Sequence, residues 1–488
     1  MRAHKDNVAV TEDKQAGAAQ SESASEAASD PSGAAAPADG ASDAGTRSGK
    51  KKGKGEKRNF AQDFLSVLTS RVMTKGCQFL IGIVTARLVG PEGRGLIAAL
   101  NVAPELALTF SQLGVRQSVA FYVGKKTYDV REIVPTILIL VLLANLTAVG
   151  ACLIYYAATD LLANDWRLIA LALAPIPFSL LANYASGVFV GKQMIARFNR
   201  VNWVPMVLNL LFVVCVAWAA DLGIYGIMMA ALLAAIVNCG YALYLLQKIT
   251  PLRLGFNREL ASKLTRLGMV YAVALFVMTL NYRLPILLLQ NFSDLRSVGI
   301  YSVGQTLALM IWEIPGMLSM LVFSRGVNAK NSDAFGDKVV ILTRLTVLAG
   351  AAVALGCVIV GPFFIPLVYG PKFAESAMIL IMLMPGTVAF MAFKLIHVDM
   401  AGRGRPWTTL TIVVPCILLN AAIGAAVVPY YGAAGTAAMT SASYVLATII
   451  YIVVYARITH RSVGSIIFYR RSDFAMLLNK VKAIRQRG

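Results

Sequence analysis

Apolar runs of about twenty residues, the length that crosses a bilayer as an α-helix, recur along this chain from Phe64 to Tyr455. Glycine and proline are scattered inside the runs, which is typical of membrane helices rather than of barrel strands. Of the 488 residues, only 14% are charged, whereas a soluble protein has about a quarter. We therefore predict an all-α polytopic membrane protein.

Twelve runs are predicted as membrane spans, which we number in chain order. Their approximate ranges are 63–88, 95–122, 133–157, 167–191, 202–220, 222–246, 264–290, 298–323, 339–360, 374–398, 407–428 and 432–456. Lysine and arginine are concentrated in alternate connections between these spans, and the pattern keeps its phase throughout. Because basic connections stay in the cytoplasm, we expect both termini to be cytoplasmic.

The segments outside the spans are predicted to be two cytoplasmic tails. Residues 1–62 are mostly small and polar, which predicts disorder, and they include a basic run from Lys50 to Arg58 suited to anionic lipid. In residues 458–488, one helical face is apolar, with Phe474, Leu477, Leu478, Val481 and Ile484. Lysine and arginine fill much of the rest, so we predict an amphipathic helix on the membrane surface, with a partner-binding helix as the alternative.

The second half of the chain echoes the first at a distance of six spans. Small-residue motifs around Gly95 and Gly299 open spans 2 and 8, and similar motifs around Gly223 and Gly432 open spans 6 and 12. Because six is an even number, the two halves have the same orientation in the membrane. We predict two pseudo-symmetric six-helix lobes, residues 63–250 and 251–457, and transporters often bind their substrate where such lobes meet.

Polar side chains form lines along several predicted helices, at depths where lipid does not tolerate them. Residues at steps of three and four share a helix face. In span 2 the line is Asn101, Glu105, Thr109, Gln112 and Arg116; in span 8 it includes Ser302, Thr306 and Glu313; in span 1 it includes Arg71, Lys75 and Gln78. The lines indicate a polar cavity between helices. The alternatives are a structural ion pair at Glu105, and structural bases near the interface at Arg71 and Lys75.

The predicted cavity contains more bases than acids. The bases are Arg71, Lys75, Arg116, Arg283 and Lys394, and the acids are Glu105 and Glu313. An excess of positive charge favours an anionic cargo, and arginine suits phosphate because its fork donates two hydrogen bonds at once. Coupling to H⁺ or Na⁺ would need an acid at such a site, so both glutamates are candidates for it.

Other function classes lack their motifs. The net charge of +20 comes mainly from connections between spans, so topology explains it and we predict no nucleic-acid partner. The six cysteines lie in apolar spans and form no CxxC pair, which argues against a disulfide framework or a zinc site. No Walker A motif is present. We predict a protein that is not an enzyme and needs no cofactor beyond a possible coupling H⁺ or Na⁺.

Residues 85–95, TARLVGPEGRG, resemble the junction of spans 1 and 2 in polysaccharide transporters of the Wzx type. These belong to the MOP superfamily, with the MATE drug exporters and the lipid II flippases. Residues 298–303, VGIYSV, and 323–325, FSR, are similar to that family's span 8, and the resemblance covers about residues 60–457.

The resemblance implies two lobes around a central cavity, alternating access, and flipping of an undecaprenyl-diphosphate-linked oligosaccharide across the bacterial inner membrane for exopolysaccharide, O-antigen or capsule synthesis. Related flippases hold the diphosphate with cavity arginines, and the candidates here are Arg71, Lys75, Arg116 and Arg283. The implied partners are the lipid-linked oligosaccharide, membrane lipids, a polysaccharide polymerase and a chain-length regulator.

Three other functions fit the sequence less well. A MATE-like ion-coupled drug antiporter predicts a cavity richer in acids and aromatic residues, whereas bases are in excess here. A polymerase or ligase would need a large external loop, and the predicted external loops are short. An interaction protein acting through its two tails would leave the polar lines without a purpose.

Overall fold

The computed structural model describes residues 60–159, 165–219, 222–327, 332–405 and 407–469. Residues 1–59 of the predicted N-terminal tail and residues 470–488 of the predicted amphipathic helix lie outside these ranges. Within the described ranges the chain is almost entirely α-helical, with a short 3₁₀ turn at Pro371–Phe373 and no strand. The predicted all-α class is confirmed.

The helices follow the predicted spans. Spans 1 to 6 comprise Phe60–Ser111, Val115–Gly124, Val130–Ala157, Trp166–Leu173, Pro175–Gly191, Ile195–Ala219 and Gly223–Gln247. Spans 7 to 12 comprise Arg258–Phe292, Leu295–Met310, Glu313–Val327, Ser332–Tyr369, Glu375–Gly402 and Trp407–Ile458, followed by the short helix Val463–Ile467.

Two of these helices contain two spans each. Phe60–Ser111 and Trp407–Ile458 both have 52 residues, and at 1.5 Å per residue each would be about 78 Å long, against a bilayer core of about 30 Å. Each is kinked at one glycine with positive φ, Gly90 (φ 68°) or Gly432 (φ 49°). In the described ranges, 9 helical stretches are long and apolar enough to cross a membrane. Dividing the two kinked helices and adding span 8 gives the twelve predicted spans.

Spans 2, 4 and 8 are broken, where the sequence predicted continuous helices. In span 8, Pro315 has no N–H to bond the carbonyl of Ile311, and the helix restarts at Glu313. In span 4, Pro175 begins the second segment. In span 2, Leu113 (φ 47°) and Gly114 (φ 54°) are left-handed and separate Phe60–Ser111 from Val115–Gly124.

Two large hydrophobic cores organise the described bundle. One contains buried residues of spans 2 to 6 and the beginning of span 7, including Leu260 and Leu264. The other contains residues of spans 7 to 12, including Leu284 and Leu289, and reaches Ala86 of span 1. We call the helices of spans 1 to 6 the first lobe and those of spans 7 to 12 the second lobe. Span 7 contributes to both cores, and the boundary near residue 250 stays a prediction.

The lobes touch backbone to backbone where spans 2 and 8 cross. A Cβ on Gly95 would overlap the carbonyl oxygen of Leu295, and one on Gly299 would overlap that of Pro91. The two glycines that the repeat aligns therefore contact each other, as residues beside a pseudo-twofold axis do. We call the end of the bundle where spans 1 and 2 join the outer end, following the charge prediction, and the opposite end the inner end.

Candidate functional site

Two ion pairs join the lobes where spans 1 and 2 face spans 7 and 8, an interface that we call the seam. Glu105 of span 2 pairs with Arg283 of span 7. Glu313 of span 8 lies 3.1 Å from the Nζ of Lys75 and 3.8 Å from Nη1 of Arg71, both on span 1. In each pair the acid comes from one lobe and the base from the other, so the structure brings together five of the predicted charged residues.

The two pairs are related by the internal repeat. A shift of six spans turns span 1 into span 7 and span 2 into span 8, so the contact between spans 2 and 7 becomes the contact between spans 8 and 1. Glu105 follows Gly95 by 10 residues and Glu313 follows Gly299 by 14. The second acid is therefore about one helical turn deeper than the first.

Both pairs remain partly accessible. The side chains are 40% exposed for Glu105, 35% for Arg283, 30% for Glu313 and 45% for Lys75, while Arg71 is 15% exposed. Ion pairs packed inside a lobe would be buried, so these groups lie at the surface of their lobes, where the two lobes meet. Pairing also explains how charges are tolerated in the membrane, where an uncompensated charge is costly.

Local structure places Glu313 at the beginning of a helix. It is the first residue of Glu313–Val327, immediately after the break in span 8. The N-terminus of a helix carries partial positive charge and favours a carboxylate there. The break caused by Pro315 therefore positions this acid at the seam.

The ammonium group of Lys394, on span 10, lies against two aromatic rings. Its Nζ lies 4.7 Å from the ring centroid of Trp312 and 5.6 Å from that of Tyr282, within cation–π range. The Trp312 indole N–H donates to the carbonyl of Thr387 at 2.9 Å, which fixes the ring. Within the described ranges, no carboxylate forms an ion pair with Lys394.

Sequence reasoning missed both rings, although a signal was present. Tyr282 directly precedes Arg283, and Trp312 directly precedes Glu313. An aromatic residue beside each charged residue of a predicted cavity would have suggested a mixed charged and aromatic site. The surroundings of Lys394 are thus richer in aromatic residues than we predicted.

The predicted polar line in span 2 is wrong beyond Thr109. Gln112 lies in the helix break, and Arg116 lies on the next helix with only 9% of its surface exposed. The backbone of Arg116 is packed so closely on span 4 that a Cβ on Gly187 would be 2.7 Å from its carbonyl oxygen. Arg116 is therefore buried in the first lobe, and its predicted role in binding cargo stays a prediction.

The uncharged candidates are mostly satisfied within their own helices. Each of four donates to a carbonyl one turn earlier, at 2.7–2.8 Å: Asn101, Thr109, Ser302 and Thr306. Polar side chains in membrane helices commonly do this, so these bonds do not require a cavity. Ser302 is 6% exposed and belongs to the interior of its lobe, whereas Gln78 is partly exposed. Their cavity-lining role stays a prediction.

Comparison with known proteins places the fold. A family described as polysaccharide biosynthesis protein matches residues 60–323. An uncharacterized membrane protein of Methanocaldococcus jannaschii is 22% identical over 399 residues, covering 77% of this chain and 93% of that protein.

Two solved structures have a TM-score of 0.67 with this one. The lipid II flippase MurJ in an inward closed conformation is 13% identical, with 83% of this chain and 89% of that chain covered. A multidrug resistance MATE family transporter in an inward-facing conformation is 15% identical, with 82% and 98% covered. At these identities the likeness shows the fold alone, and it confirms that this chain has the predicted fold, which these two transporters share. Because the family match covers more than half of the 488 residues, the chain belongs to the polysaccharide biosynthesis protein family.

Proposed function

We propose that this membrane transporter flips an undecaprenyl-diphosphate-linked oligosaccharide across the bacterial inner membrane during synthesis of a surface polysaccharide. The excess of base over acid at the seam is the observation that carries the proposal. Three bases meet two acids in the ion pairs. Lys394 of the second lobe, beside the Tyr282 that precedes Arg283, adds a base for which the described residues provide no carboxylate. Membership of the polysaccharide biosynthesis family supports a saccharide cargo.

On this proposal, the seam recognises two chemical parts of the cargo. The guanidinium groups of Arg71 and Arg283 and the ammonium of Lys394 bind the diphosphate through charge-assisted hydrogen bonds. The partly exposed ring of Tyr282 provides an apolar face for a sugar ring, and Trp312 supports it from the core of the second lobe, while the prenyl chain stays in the surrounding lipid. The Gly95–Gly299 crossing closes the outer end, and the contact of Gly114 with Gly268 joins spans 2 and 7 at the inner end. The cargo then enters from the cytoplasmic side once the inner contact separates.

Alternating access follows from the same arrangement. The cargo crosses when the lobes part at the outer end and close at the inner end. Both termini then lie in the cytoplasm, beside the enzymes that make the cargo. A polysaccharide polymerase and a chain-length regulator would act on the flipped product.

A flipping assay tests the proposal directly. The purified full-length protein is placed in liposomes that contain undecaprenyl-diphosphate-linked oligosaccharide with a fluorescent label on the sugar. We expect a membrane-impermeant quencher to reach the label of both leaflets in these liposomes, but only of the outer leaflet in protein-free ones.

Lys394 provides the matched variants for this assay. Lys394→Met removes the unpaired base and should slow flipping strongly, whereas Lys394→Arg retains the charge and should stay active. Quenching by the wild-type protein that equals the protein-free control would contradict the proposal. Uptake of a cationic dye in place of flipping would support a MATE-like antiporter instead.

A further inference from the structure

Both acids at the seam are bound to the bases that the proposed function assigns to cargo. Glu105 pairs with Arg283, and Glu313 pairs with Lys75 at 3.1 Å and Arg71 at 3.8 Å. A carboxylate therefore stands at each position where an anionic headgroup would bind. The carboxylates of Glu105 and Glu313 thus already occupy the anion-binding positions of these bases.

Carboxylate and phosphate compete for the same donors. A guanidinium fork binds either group through parallel N–H···O bonds. A base in the membrane needs a counter-ion while cargo is absent, because an uncompensated charge there is costly. A diphosphate carries more negative charge than one carboxylate and offers more acceptor oxygens, so it displaces the carboxylate once it reaches the base.

We infer that Glu105 and Glu313 are internal counter-ions that occupy the cargo-binding bases of the empty transporter and yield them to an anionic isoprenyl diphosphate. The inference rests on the proposed function of this site. It differs from the coupling role predicted from the sequence, in which the same acids would bind H⁺ or Na⁺.

Displacement of the two glutamates would also remove contacts that join the lobes. Each ion pair joins one lobe to the other, and both pairs obey the same pseudo-symmetry. When cargo takes the bases, two bridges across the seam are removed together. Cargo binding thus frees the lobes to move, whereas the empty transporter is held by its own charges.

Binding of farnesyl diphosphate, a short and soluble isoprenyl diphosphate, tests the inference on the purified full-length protein by titration calorimetry. Glu105→Gln and Glu313→Gln keep the side-chain shape and remove the competing charge. We expect each variant to bind about two to five times more tightly than the wild type, the range expected for a partly exposed ion pair.

Glu375→Gln is the matched control. Glu375 forms an ion pair of 2.6 Å with Arg296, and both residues belong to the second lobe, so this pair does not join the lobes. Its neutralisation should leave the affinity for farnesyl diphosphate unchanged. Tighter binding in all three variants would indicate a general effect of net charge and would overturn the inference.

Aspartate variants keep the test decisive if a glutamine variant fails to fold. Glu105→Asp and Glu313→Asp retain the charge but shorten its reach, so they should tighten binding by a smaller factor. Equal or weaker binding in the seam variants, with clear binding in the wild type, would overturn the inference and leave the proposed function intact. If neither wild type nor variants bind farnesyl diphosphate or flip the lipid-linked saccharide, the proposed function fails as well.

Discussion

Asp399 shows how one buried residue holds the inner end of the second lobe together. It is 2% exposed and accepts hydrogen bonds of 2.8 Å from the Tyr455 hydroxyl and from Nε of Arg403. Nη1 of Arg403 also lies 3.5 Å from Asp333 at the beginning of span 9. Through Tyr455 and Arg403, Asp399 connects spans 9, 10 and 12.

Asp399→Ala should therefore destabilise the protein strongly. Removing one partner of a buried ion pair costs up to about 3–5 kcal/mol, and Arg403 would keep only the exposed carboxylate of Asp333. We expect a marked fall in Tm of the purified protein in detergent. Glu375→Ala removes an exposed partner and should change stability by about 0–1 kcal/mol. Equal Tm values for the two variants would show that Asp399 has no special role.

The crossing of spans 2 and 8 provides a prediction at the scale of elements. Gly95→Ala introduces a Cβ where the carbonyl of Leu295 already lies, whereas a Cβ on Gly150 of span 3 would meet nothing within 4 Å. We expect Gly95→Ala to destabilise by about 1–3 kcal/mol through overpacking, and Gly150→Ala to stabilise by up to about 1 kcal/mol through helix propensity. Thermal unfolding of both variants measures the change in stability. If both substitutions stabilised the protein, or both destabilised it, the contact at Gly95 would not be tight.

The elements were more predictable than the contacts between them. Hydrophobic length and the alternation of basic connections are local signals, and they predicted the twelve spans, while matching small-residue motifs predicted the repeat. The break at Gly114 was not visible, because it depends on a backbone contact with Gly268 of another lobe. Pro315 was visible in the sequence, but its effect on span 8 was not used. The repeat itself could have predicted one ion pair from the other, once either was known.

At the scale of the whole molecule, the pseudo-symmetry of the seam is incomplete. Spans 2 and 7 meet at Gly114 and Gly268, at the Phe110 and Phe276 rings, whose centroids are 5.6 Å apart, and at Glu105 with Arg283. On the pseudo-equivalent side, the inner half of span 8 packs on spans 9 and 10, and the long side chains of Arg71 and Lys75 reach it from span 1. Movement of one lobe against the other must therefore separate the backbone contacts between spans 2 and 7.

Cross-linking these two spans should stop transport. In a variant whose six native cysteines are replaced by alanine, Phe110→Cys and Phe276→Cys place one thiol on each lobe. We expect a short, reducible bifunctional thiol reagent to abolish flipping of the labelled lipid-linked oligosaccharide, and a reductant to restore it, because the lobes are joined only while the link is intact. Each single-cysteine variant, treated in the same way, controls for modification of one thiol. If the cross-linked protein flips as fast as the untreated one, the lobes do not part along spans 2 and 7, and transport must proceed by opening the seam between spans 1 and 8 alone.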